Sequence, residues 1–113
     1  MKKFYYSKEG KTIIYQIGKY LYTIKGKPVA FLSEGAVFTI NGNLLGYYGD
    51  GWIRDKRNNA VMFTDNCSGA GPIPPIHEIP PIPAIPSIPP IPPVPPVPSF
   101  NWSSIRAEDF FVN

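Results

Sequence analysis

Few residues of this chain are able to do acid–base or covalent chemistry. His77 is the only histidine, and it stands beside Glu78 inside a proline-rich stretch. Cys67 is the only cysteine, so no internal disulfide forms, and no histidine lies close to it in sequence. No Cys/His group has the spacing of a metal site. Asp50, Asp55 and Asp65 recur near turns, where carboxylates bond backbone amides, and a calcium loop needs them far denser. There is no glycine-rich phosphate loop and no nucleophile elbow. These patterns assign no catalytic, metal-binding or cofactor-binding residue, and they describe a protein that is not an enzyme.

The residues with a pattern are those that make contacts. From Pro72 to Phe100 an apolar residue falls on every third position: Ile73, Ile76, Ile79, Ile82, Ile85, Ile88, Ile91, Val94, Val97 and Phe100. Most positions between them are proline. A period of three fits polyproline II, with about 3 residues per turn and about 3.1 Å rise. Proline fixes φ and pushes the preceding residue toward the same region, so the conformation is set locally. The aliphatic residues then form one straight stripe on a rod of roughly 80 Å. A 66-residue domain is under about 30 Å across and cannot cover such a rod while it is straight. A solvated spacer, or a ligand for proline-reading modules, is one reading. Such ligands usually carry a basic residue beside the prolines, and no Lys or Arg occurs between Arg57 and Arg106. The sharper reading is that the stripe packs on something specific: other copies of the rod, or the β domain of this or a neighbouring chain.

Composition bounds the rest. The net charge is +3 and the basic residues form no dense run, so the electrostatic case for nucleic acid is weak. The start, MKKFYYSKEGK, lacks the apolar core of a signal peptide. No apolar run reaches transmembrane length. The expected location is the cytoplasm, with no membrane partner.

Positions 1–66 contain an internal repeat. Gly10, Gly26, Gly42 and Asn58 are spaced by 16 residues, which divides the chain into units 3–18, 19–34, 35–50 and 51–66. Three residues before this position stand Ser7, Thr23, Thr39 and Asp55. Three after it stand Ile13, Val29, Leu45 and Val61, and five after it Tyr15, Phe31, Tyr47 and Phe63. Five before it stand Tyr5, Leu21, Val37 and Ile53. Each unit reads as a β-hairpin, with β-branched and aromatic flanks around a residue that tolerates positive φ. Asn41-Gly42 alone suggests a two-residue type I′ turn. The Ser/Thr/Thr/Asp column favours a type I turn followed by a left-handed bulge residue. In that register Tyr5 opposes Ile13, Leu21 opposes Val29, Val37 opposes Leu45 and Ile53 opposes Val61. Tyr15, Phe31, Tyr47 and Phe63 extend the same face, the expected core. The other face carries Phe4, Tyr6, Tyr20, Tyr22, Phe38 and Trp52 among others. It is either a surface for the rod, since polyproline helices dock in aromatic grooves, or buried between neighbouring hairpins. Short connectors make the whole an antiparallel meander of eight strands with pseudo-fourfold closure, as a small barrel or a ring of two-stranded blades.

The four units resemble a known family, the bacterial four-fold beta-flower proteins. The likeness extends to Asp50-Gly51-Trp52-Ile53-Arg54-Asp55, to Phe63-Thr64-Asp65-Asn66 running into Ser68-Gly69, and to the period-three Pro/aliphatic tail. It ends with Trp102-Ser103-Ser104 and Phe110-Phe111. The resemblance spans nearly the whole chain. It implies the four-hairpin fold and carries over no catalytic residue.

The expected organisation is therefore an all-β four-hairpin domain at 1–66, a Gly/Ser linker at 67–71, a polyproline II rod at 72–100 and an aromatic docking segment at 101–113. In the last segment a short helix could begin near Ser103 or Ser104, with Glu108 and Asp109 inside it. Trp102, Phe110 and Phe111 are too apolar for a free tail, and docking on another copy is easier unless the rod bends. The function expected is non-enzymatic assembly through the rod, with a second copy of the chain or another protein as partner. The alternative is a binding module whose repeated aromatic face holds a peptide or glycan. No cofactor or small-molecule ligand is implied.

Overall fold

Each repeat folds back on itself at its Gly or Asn position. A computed structural model describes residues 2–83 and 98–112. Gly10, Gly26, Gly42 and Asn58 have φ of 82°, 86°, 89° and 67°, the left-handed region. The N–H of each donates to the carbonyl three residues earlier, at Ser7, Thr23, Thr39 and Asp55, closing a type I turn. The side-chain oxygens of those four residues accept the N–H of Lys11, Lys27, Asn43 and Asn59 at 3.2, 3.2, 3.0 and 2.9 Å. The three-residue loop with a left-handed bulge is thus the turn at all four places.

The strands are β1 (Lys3–Ser7), β2 (Thr12–Ile17), β3 (Tyr20–Thr23), β4 (Pro28–Ser33), β5 (Ala36–Thr39), β6 (Leu44–Gly49), β7 (Trp52–Arg54) and β8 (Ala60–Phe63). Each pairs antiparallel with the next, and β1 pairs with β8, so the sheet closes into an eight-stranded barrel with no free edge. A 3₁₀-helix follows at Ala107–Val112, with Glu108 and Asp109 inside it. It starts later than expected because Ser103 is tied to the barrel, its N–H donating to the Ala60 carbonyl at 2.6 Å.

The pairing departs from expectation by one residue. Tyr5 opposes Ile14, Leu21 opposes Ala30, Val37 opposes Gly46 and Ile53 opposes Met62. A second bulge lies in every hairpin, at Ile13, Val29, Leu45 and Val61. A bulge bends and twists its strand, which is how so short a sheet closes. Two successive residues then turn to one face: Ile13 and Ile14, and likewise Leu45 and the following position. Tyr5, Ile14, Leu21, Val37, Leu45, Ile53, Val61 and Met62 form one cluster drawn from the whole ring, which is the barrel interior, and Phe110 enters it 1% exposed.

Tyr15, Phe31, Tyr47 and Phe63 consequently lie on the outer face and not with Tyr5 as expected. There they join neighbouring hairpins. Tyr15 stacks on Tyr22 at 5.3 Å, Phe31 on Phe38 at 5.5 Å, and Phe63 packs on Tyr6 at 5.5 Å. At the fourth junction Tyr47 faces Arg54 in register. Burial between hairpins accounts for these four junctions, while Tyr6 and Trp52 on the same face also meet the start of the proline-rich arm.

Candidate docking site for the proline-rich arm

Arg54 breaks an aromatic column. The positions four before each turn residue are Tyr6, Tyr22, Phe38 and Arg54. Its side chain is 3% exposed and sits over the Trp52 ring. The guanidinium donates to the carbonyls of Asn58 at 2.9 Å, of Ser99, and of Ala70. Burial pulls its pKa below the ordinary arginine value, with Asp50 acting the other way. Its hydrogen-bond partners among the described residues are main-chain carbonyls, so it works as a clamp on backbone.

The two ends of the proline-rich stretch are thus held by one side chain. A straight rod through 72–100 would span roughly 80 Å, and positions 84–97 of that expected rod lie outside the described residues. The described residues span 33 × 33 × 23 Å. The same closure places the C-terminal segment on its own barrel. Trp102 packs edge-on against Trp52 and Phe63, Phe110 is in the core, and Phe111 packs half-buried against it. Of the two docking places expected for this segment, its own barrel is the one these contacts occupy.

The first part of the arm lies along the fourth and first hairpins. Trp52 Nε1–H donates to the Ser68 carbonyl at 3.0 Å. Gly71 abuts the Trp52 ring so closely that a Cβ would come within 2.6 Å of it. His77 stacks flat on Tyr6, with ring centroids 3.7 Å apart and 13° between planes. Its Nδ1 meets the Glu78 carbonyl at 2.6 Å and its Nε2 meets an Asp65 carboxylate oxygen. Both are acceptors, so both nitrogens are satisfied only in the imidazolium. The Glu78 carbonyl bond, with the Asp65 carboxylate, raises the His77 pKa against partial desolvation. The Glu78 N–H donates to the Gly10 carbonyl at 2.8 Å. Its carboxylate accepts the Thr12 N–H at 2.7 Å, which lowers its pKa with help from Lys11. A Cβ on Gly10 would overlap the Ile76 carbonyl, so this turn needs glycine for contact as well as for φ.

The described isoleucines of the arm take no part. Ile73, Ile76, Ile79 and Ile82 are 92, 97, 93 and 96% exposed, and Phe100 is 71% exposed. Their expected packing on the chain's own barrel is not found. Ile85, Ile88, Ile91, Val94 and Val97 lie outside the described residues. Cys67 packs near Trp52, and burial pushes its thiol pKa up. Sequence reasoning missed Arg54, Asp65, Gly10 and Asn58 as holders of the arm. The visible signal was Arg54 itself, a cation in an aromatic column.

The architecture defines a closed barrel of four pseudo-repeated hairpins around a plug from its own C-terminus. The family profile described as 4-fold beta flower protein matches residues 3–111, and the chain belongs to that family. Neither the curated proteins nor the solved structures gave a match. No helix among the described residues is long and apolar enough to cross a membrane.

Proposed function

We propose that this is a non-enzymatic assembly protein, in which the barrel is a mount that holds a proline-rich arm and presents its isoleucine edge to a second copy of the chain. The observation that supports this is the division of labour along the arm. His77, Glu78 and Gly71 face the barrel, while the period-three isoleucines Ile73, Ile76, Ile79 and Ile82 are more than nine-tenths exposed. Burying one isoleucine is worth about 1.5–3 kcal/mol, so an edge of four favours association strongly. His77 favours the same reading, because its two ring nitrogens are both occupied and neither is left to act as a base.

Light scattering on the full chain tests this. Truncation after Gly71 is unsuitable, because it also removes Ser99, Trp102 and Phe110 from the barrel. The comparison is with a chain carrying Ile73→Ser, Ile76→Ser, Ile79→Ser and Ile82→Ser, none of which touches the core. The expected result is a multimer for the native chain and a monomer for the variant. A native monomer, or a multimer in both, overturns the proposal.

A further inference from the structure

Two of the four hairpins hold the tail by the same pair of backbone groups. In the first, the Gly10 carbonyl accepts the Glu78 N–H and the Thr12 N–H donates to the Glu78 carboxylate. In the fourth, the repeat puts Asn58 and Ala60 at those positions. There the Asn58 carbonyl accepts the Ser99 N–H at 2.7 Å and the Ala60 N–H donates to the Asn101 carbonyl at 2.7 Å.

The turn geometry explains why these groups are available. In the third hairpin the Thr39 N–H donates to the Asn43 carbonyl at 2.8 Å, so Thr39 and Asn43 are a hydrogen-bonded pair. The next pair, Phe38 with Leu44, is then non-hydrogen-bonded, and the Leu44 N–H turns away from β5. On its other side β7 pairs no further than Arg54 with Tyr47, three residues short of Leu44. In the first and fourth hairpins the corresponding pairs are Tyr6 with Thr12 and Arg54 with Ala60, and the geometry leaves a carbonyl and an N–H two residues apart as a notch for an extended segment.

The second and third hairpins differ here. Pro28 occupies the donor position of the second and has no N–H. The third keeps both groups, and a Cβ on Gly42 would meet nothing within 4 Å among the described residues. Beside Leu44 runs a crevice of about 620 Å³ between the third and fourth hairpins, lined by Leu45, Ile105 and Phe110 and by Lys56 and Arg57. Both basic residues are exposed.

We infer that the third hairpin carries a copy of this notch, open among the described residues, and that its ligand is an extended acidic–apolar segment of a partner protein. The segment donates an N–H to the Gly42 carbonyl, and its glutamate accepts the Leu44 N–H beside Lys56 and Arg57, as Glu78 does beside Lys11. Its apolar flank lies on Leu45 and Ile105. This notch lies apart from the isoleucine edge, so the four-serine variant retains it.

The test is an amide-resolved NMR titration of the isotope-labelled full chain with a free peptide of residues 72–83. Saturable shifts centred on Gly42, Asn43 and Leu44 are expected. Leu44→Ala keeps the N–H and the binding. Leu44→Pro, which copies the second hairpin, weakens it about tenfold or more, as does a peptide carrying Glu78→Gln. Should Leu44→Pro fold poorly, Lys56→Glu with Arg57→Glu at exposed positions is expected to weaken binding to a similar degree. The inference is overturned by the absence of saturable shifts at 42–44, or by shifts centred on Gly10 and Thr12. Affinity unchanged in both Leu44→Pro and the charge-reversed chain also overturns it.

Discussion

The second and fourth hairpins share one backbone plan and differ in what they hold. In the second, Tyr22 stacks on Tyr15, Thr23 caps its turn, Gly26 is the left-handed residue, and Pro28 withholds an N–H. No described part of the tail bonds to this turn through its backbone. In the fourth, Arg54 replaces the ring and clamps both ends of the arm. Asp55 caps the turn with one oxygen and accepts the Ser103 hydroxyl with the other at 2.6 Å. Asn58 and Ala60 take the Ser99 and Asn101 backbone. Where the columns agree, the residues build the barrel and, at Tyr6 and Gly10, also seat the arm; where the fourth unit departs from them, Arg54 binds both ends of the arm.

The largest effect expected on this comparison comes from Arg54→Met. It leaves the half-buried carbonyls of Ala70 and Ser99 without this donor and takes one of two donors from the Asn58 carbonyl, at a cost on the order of 3–5 kcal/mol. Tyr22→Met at the same column of the second hairpin loses a stacked pair, roughly 1–2 kcal/mol. Equal shifts in thermal melting would break the comparison. Phe110→Ala is expected to cost about 3–5 kcal/mol in the same measurement, because the tail's aromatic is part of the barrel core. A change below about 1 kcal/mol would mean the plug is dispensable.

Asp55→Ala sharpens the comparison against Thr39→Ala. Both lose a turn cap, roughly 1 kcal/mol, and only Asp55→Ala also strands the buried Ser103 hydroxyl, roughly 1 kcal/mol more. Denaturant midpoints resolve the difference, and identical midpoints would deny Asp55 its second role. The smallest effect is the pH dependence of arm docking. The folded His77 pKa is raised above 6.5, so its contribution is full below that value and is lost as pH rises through the folded pKa. The folded Glu78 pKa is lowered below 4.5, so its contribution is present above that value and is lost as pH falls through the folded pKa. Protection of the Glu78 amide should peak between the two, and His77→Gln should flatten the upper limb. A limb that persists in His77→Gln would assign it to another group.

The legibility of the chain follows the range of its interactions. The turns were readable because Ser7 and Gly10, or Asp55 and Asn58, act within five residues of each other. The outward face of Tyr15 and Phe63 is not legible, because the second bulge answers to barrel closure and leaves no local residue signature at Ile13 or Val61. The stiffness expected of the proline stretch is a local property of proline, and positions 84–97 of that stretch lie outside the described residues. The meeting of its two ends rests on Arg54 reaching carbonyls 16 and 45 residues away, and no periodicity encodes that. The isoleucine stripe was legible as an edge. Its outward direction follows from His77 on Tyr6 and Glu78 on Gly10, which single residues supply.

Hydrogen exchange at the Glu78 and Ser99 amides is the most direct test of an arm held in cis by the first and fourth hairpins. Measured on the full chain across a wide dilution series, both amides should be protected to a degree independent of protein concentration. Protection that disappears on dilution, or that never appears at either amide, would contradict the account.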